Sequence, residues 1–177
     1  MHIRPALLTD APALRNLSET TFVDTYAAFN TPENLQLHVA QHFNLSQIER
    51  ELQQENFAYF VVESENGLVA FAKLVLNHAA KGLENERVVE MERFYVLRAF
   101  HGQQVAQQLM DFCCVWATER QFGTIWLGVW EHNPRGIRFY EKMNFTPFGT
   151  HIFQLGLDPQ TDILVKRRLN HSLNPYI

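Results

Sequence analysis

The chain has 177 residues, which fits one domain and leaves room for a real core. Hydrophobic residues make up 46% and charged residues 19%, the balance of a soluble globular protein, and a net charge of −4 argues against nucleic acid as the main partner. No apolar run approaches the ~20 residues that cross a bilayer, and no charged-then-apolar leader opens the chain, so no membrane partner is expected.

"HIRPALL" alternates enough to form a first strand, and Pro5 places it near a sheet edge. Asp10 reads as the N-cap of a helix reaching about Phe29, with Leu14, Leu17, Phe22 and Tyr26 as its apolar residues. "TPEN" opens more helix, with Thr31 as cap and Pro32 in first position. "NLSQIERELQQ" restarts it through a capping box of Ser46 and Glu49. "FAYFVVE" and "LVAFAKLVL" are strands joined by the hairpin signal "SENG". A polar loop at 78–86 leads to a third long strand, "RVVEMERFYV".

In "VLRAFHGQQVAQQLM" a strand ends, a short loop follows and a helix begins, apolar at Val105, Leu109, Phe112 and Trp116. Its adjacent Cys113 and Cys114 cannot easily bridge and read as core filler in a reduced, intracellular protein. "TIWLGVW" is apolar on both faces, as a buried parallel strand is. "NPRGIRFYEKM" is a helix capped by Asn133 with Pro134 first. "FTPFGTHIFQLG" and "TDILVKRRL" close the chain as strands around a loop at Asp158–Pro159, and 170–177 read as a tail.

The order is β, α, α, then β, β, β, α, β, α, β, β. The strand–helix–strand unit at 87–130 demands a parallel crossover, and the hairpins around it demand antiparallel neighbours. An α/β (α+β) fold with a mixed sheet flanked by helices is expected, in a single domain over 1–169, since no linker or repeat is present.

Three segments carry a resemblance: "ERFYV", the loop and helix "HGQQVAQQL", and "NPRGIRFYEKMNF". In this order and spacing they resemble the GCN5-related N-acetyltransferase family, in which the loop follows the pattern R/Q-x-x-G-x-G/A. "TFVDTYAAFNTPENL", "IWLGVWEHNPRGIRFYEKMNF" and "GTHIFQLGLDPQTDILVKRRL" look like the PaiA-type polyamine acetyltransferases. The resemblance implies a mixed sheet whose two central parallel strands splay apart to admit acetyl-CoA. It implies a cytoplasmic enzyme that moves an acetyl group to a polyamine or other small cationic amine by direct transfer in a ternary complex. A protein or amino-acid amine acceptor, and a CoA-binding regulator without catalysis, stay as alternatives. A homodimer stays open.

Phosphate would be held by backbone N–H groups at the helix start, over His101, Gly102, Gln103, Gln104, Val105 and Ala106. His101 stands where the family has arginine or glutamine, and reads as a donor to a phosphate oxygen or as an exposed loop histidine. Gln104 stands where the first glycine is usual, and is expected in a helical region where its amide survives. Backbone groups of Phe94, Tyr95 and Val96 would pair with the pantetheine arm as if it were an added strand, and Asn133 matches the family's contact to that arm.

The chemistry needs a neutral amine, a donor for the leaving thiolate and a proton acceptor. Tyr140 matches the family's tyrosine beside the cofactor sulfur and is the expected general acid, with a core aromatic as its bland reading. Glu90 and Glu92 share a face of one strand if no bulge intervenes, and Glu92 is favoured as base over a salt-bridge role with Arg93 or Arg87. Asp24, Tyr26, Glu33 and Glu131 are candidates for drawing in a cation, with Trp130 and Tyr26 packing on it. His38 and His42 stand i, i+4 without a third ligand and read as a surface pair, so no metal is expected.

Overall fold

Strand pairing in the computed structural model, which describes residues 1–169, gives one seven-stranded sheet in the order β1-β2-β3-β4-β5-β7-β6. The tail expected at 170–177 lies outside the described residues. The strands are β1 (His2–Pro5), β2 (Phe57–Ser64), β3 (Gly67–Leu76), β4 (Val88–Val96), β5 (Thr124–Trp130), β6 (Thr146–Leu155) and β7 (Asp158–Arg168). The helices are α1 (Ala11–Tyr26), α2 (Pro32–His42), α3 (Leu45–Glu51), α4 (Val105–Glu119) and α5 (Pro134–Lys142). Every neighbouring pair is antiparallel except β4 and β5, which are parallel and joined through α4. The mixed α/β architecture expected from the element order is therefore the observed one.

Alternation along the strands sorts the core onto two faces. Phe60, Ala70, Ala72, Leu74, Val89 and Met91 pack with Leu109, Met110, Cys113 and Ala117 of α4. Tyr59, Val61 and Phe71 point the other way, against Ala11, Leu14 and Leu17 of α1 and Ile48 of α3. Cys113 and Cys114 are free and buried, and burial pushes both thiols up, Cys114 to about 11. They are inert filler, not nucleophiles.

Four local expectations are corrected. Asp10 does not cap α1: its carboxylate accepts from the Leu7 N–H at 2.7 Å and grips Arg4 at 2.6 Å, closing a 3₁₀ turn before the helix. α1 ends at Tyr26, not Phe29. The restart after α2 is a separate helix, capped by Asn44, whose Oδ1 accepts from the Gln47 N–H at 2.8 Å. Asn44 has the extended backbone that a cap needs, whereas Ser46 is already inside the helix. The last turn falls at 156–157, where Gly156 has φ +60°, and Asp158 and Pro159 already belong to β7. Proline is tolerated there because the β5 ladder reaches β7 only at Asp162.

Candidate active site

The parallel ladder between β4 and β5 is short. It pairs Val88 with Thr124, Val89 with Ile125 and Glu90 with Trp126, and no residue of β4 beyond Glu90 pairs with β5. The strands run on to Val96 and Trp130, so they diverge. A bulge contributes: the β3 register slips between Lys73 and Leu74, leaving Glu92 as the extra residue on β4. A cavity of about 850 Å³ fills the gap and opens on both faces, from α1 on one side to the α4 and α5 N-termini on the other.

The mouth near α4 is built from 101–107. Gly102 and Gln104 both have positive φ, +79° and +62°, and α4 starts at Val105. Gln104 is thus left-handed, not helical as expected. This is a conformation costing an L-residue roughly 1–2 kcal/mol, and it is why the family pattern carries glycine there. The N–H groups of 102–107 find no acceptor among the described residues, as at any helix start. Turned outward beside the positive end of the α4 dipole, they suit a diphosphate.

His101 does not lie free in solvent. Its Nε2–H donates to the Val96 carbonyl at 2.9 Å, and its Nδ1 accepts from Arg135 Nη1 at 2.5 Å. That arrangement requires the neutral ring. Burial, opposed by the Val96 bond and assisted by Arg135 and Arg98, lowers its pKa. His101 ties β4 to α5 and holds Arg135 at the mouth. The Val96 carbonyl thus already accepts one hydrogen bond and keeps its second lone pair.

Along β4, Phe94 and Val96 pack on the α4 side, whereas Tyr95 stacks on Phe71 at 5.7 Å on the α1 side. α5 is capped by Asn133, whose Oδ1 accepts from the Gly136 N–H at 2.9 Å. It brings Tyr140 over Phe94 at 6.5 Å and against Phe145 at 5.7 Å, lining the gap. Burial raises the Tyr140 phenol well above its ordinary range, so it keeps its proton at neutral pH. Among the sequence candidates, Phe94, Tyr95, Val96, His101, Gly102, Gln104, Val105, Ala106, Asn133 and Tyr140 all line the one cavity, and Gln103 does not.

Glu92 lines it too, but not as a free carboxylate. Lys73, 1% exposed, sits between Glu92 at 2.5 Å and Glu51 at 2.8 Å, and Arg93 approaches Glu92 at 3.6 Å. The bulge puts Glu92 and Arg93 on the same side, toward α2 and α3, where Arg93 donates to the His42 carbonyl at 3.0 Å. Glu90 lies outside the cavity and pairs with His78 at 2.5 Å.

The opposite mouth holds Tyr26 of α1, Trp130 of β5 and Asp162 of β7, while Asp24 of α1 lines the cavity near enough for its charge to act on His101. Tyr26 and Trp130 pack with ring centroids 5.6 Å apart. Glu33 is exposed and away from it, and Glu131 lines a separate cavity of about 320 Å³ beyond Trp130. Sequence reasoning missed Asp162, which burial and the charge of Glu131 push up to about 6. Its signal was an acid inside the apolar run "TDILV". His38 is not a surface residue: it is buried, stacked on Phe22 at 4.4 Å, and pushed down to about 4.

The model of the acetyltransferase (GNAT) family matches residues 14–145. The chain belongs to this family. It is 29% identical over 160 residues to an uncharacterised N-acetyltransferase of Lactobacillus delbrueckii subsp. lactis, covering 90% of this chain and 92% of that one. Its fold is similar to the PaiA N-acetyltransferase of Thermoplasma acidophilum, solved with coenzyme A (TM-score 0.78, 15% identity, 94% and 98% covered). It is also similar to a ribosomal-protein-alanine N-acetyltransferase of Brucella melitensis (TM-score 0.73, 20% identity, 96% and 100% covered). As a GNAT enzyme the protein is an N-acetyltransferase with acetyl-CoA as co-substrate. The residues present fit that molecule, with unpartnered amides at 102–107 and Arg98, Arg135, Arg138 and Lys142 at the same mouth.

Proposed function

We propose that the protein acetylates a small cationic amine of the polyamine kind, by direct transfer within a ternary complex. One observation carries this reading: the cavity is electrically divided. Among the described residues lining it, every arginine and lysine comes from 98–142, at the α4 and α5 mouth. The acids are Asp24, Glu92 and Asp162, and the last stands with Tyr26 and Trp130 at the other mouth. The first set suits phosphates, and the second suits an ammonium group that also needs aromatic faces. The fold likeness to the PaiA enzyme points the same way, and that to the ribosomal-protein-alanine enzyme makes a peptide N-terminus the rival acceptor.

Acetyl-CoA supplies an acyl thioester. Tyr140 holds a proton for the departing thiolate, which a phenol kept neutral by burial can give. Backbone groups of Phe94 and Tyr95, left without a β5 partner, orient the pantetheine arm with Asn133. Gly102, Gln103, Gln104, Val105 and Ala106 hold the diphosphate through their amides.

Thiol release from acetyl-CoA, followed with polyamines and with an alanine-terminated peptide, tests this. Polyamines are expected to give the higher kcat/KM, and Tyr140→Phe to lower kcat about 10²-fold or more with coenzyme A affinity unchanged. Turnover of the peptide alone assigns the acceptor to the rival class.

A further inference from the structure

The acceptor amine arrives protonated. With a pKa near ~10.4, roughly one alkylamine in 2,500 is neutral at pH 7, so a group in the cavity must take the proton before nitrogen can attack. Three carboxylates line the cavity. Glu92 is already engaged, its Oε2 contacting Lys73 at 2.5 Å and Arg93 at 3.6 Å. Asp24 is exposed on the surface of α1. Asp162 is different. Its side chain is only 14% exposed, it accepts no hydrogen bond from the described residues, and the imidazole of His151, whose burial favours the neutral ring, stands off at 3.8 Å. Both oxygens therefore keep free lone pairs within the cavity.

The fold makes room for this carboxylate. Asp162 stands opposite Trp130 on β5 and His151 on β6. Gly128, one step back on the same face of β5, is the device: a Cβ there would meet Asp162 Oδ2 at 2.9 Å and His151 Cε1 at 3.1 Å. Any larger residue would push the carboxylate away.

We propose that Asp162 is the general base that deprotonates the acceptor amine. This rests on the acetyl-transfer reading of the same cavity. The ammonium gives one proton to the Asp162 carboxylate. The freed nitrogen lone pair forms the C–N bond to the acetyl carbon as the C–S bond breaks, the thiolate leaves with a proton from Tyr140, and the second nitrogen proton, made acidic by acylation, passes through solvent to restore the Tyr140 phenol. The charged and titratable groups facing Asp162 are Glu131 after β5, His151 on β6, Tyr26 on α1 and Tyr95 on β4. Burial and Glu131 push Asp162 up to about 6, so it is ionised at neutral pH yet basic enough to accept a proton, and activity falls as pH drops through that value.

The test is Asp162→Asn, with Asp162→Ser as a second variant, assayed by thiol release across pH. Both are expected to lose kcat/KM about 10²-fold with an alkylamine at pH 7, to lose the inflection near pH 6, and to regain activity as pH rises toward the amine's own ionisation. An acceptor already neutral at pH 7, an aromatic amine or a hydrazine, is expected to lose far less, because it needs no base. Coenzyme A affinity and melting temperature, unchanged or higher, show that the variants fold. Wild-type turnover with an unaltered pH profile in both variants overturns the assignment and gives the inflection to His151. Equal losses for alkylamine and neutral acceptor also overturn it, in favour of a purely structural role. No turnover by the wild type with any amine overturns the transfer reading, and the base with it.

Discussion

Gln104 shows what a single residue conceals. The loop pattern was legible in the sequence, but the backbone angle was not. Where the family has glycine the left-handed turn is easily inferred, and where this chain has glutamine the same turn is adopted under strain, at φ +62°. Gln104→Gly removes that strain, roughly 1–2 kcal/mol, and returns about 0.4–1 kcal/mol as unfolded-chain entropy. The variant is expected to be about 0.5–1 kcal/mol more stable in denaturant unfolding; a loss of stability would mean the glutamine side chain makes the turn. His101 was equally opaque, because both partners, Val96 and Arg135, are set by tertiary structure. Tyr140 was legible through the family spacing, and its buried hydroxyl beside the gap gives that spacing a physical reason.

Elements were read well where hydrophobic period decides and poorly where a neighbour competes. Asp10 looked like a cap until Arg4, brought in by β1, claimed its carboxylate. β4 was recognised as a strand, but the bulge at Glu92 comes from pairing with β3 and leaves no mark in the local sequence. That bulge sets the half-exposed Glu92 against a buried pair of Lys73 and Glu51, with the Tyr59 hydroxyl donating to Glu51. Lys73→Met strands a buried carboxylate, and breaking such a pair from one side costs about 3–5 kcal/mol. Glu51 keeps the Tyr59 and Gln47 donors, so the lower end, about 3 kcal/mol, is expected by denaturant unfolding. Lys73→Met with Glu51→Gln should recover part of the loss. A near-neutral Lys73→Met would show that the network contributes nothing net.

At the scale of the molecule, the β-α-β unit at 87–130 dictated the parallel pair, and the flanking hairpins dictated a mixed sheet. What the element order could not say is where the parallel ladder stops. It stops after Glu90, and the cavity, its cationic mouth and its acidic mouth all follow from that. The division of charge brings together residues far apart in sequence, Tyr26 with Asp162 and Arg98 with Arg135, so no local window displays it. The most direct measurement is a calorimetric titration of the protein with coenzyme A and, separately, with pantetheine, which lacks the diphosphate. Saturable one-site binding of coenzyme A is expected, with pantetheine weaker by tenfold or more, about 1.4 kcal/mol. Equal affinity for the two, or no saturable binding of coenzyme A, would contradict a diphosphate seat at the start of α4.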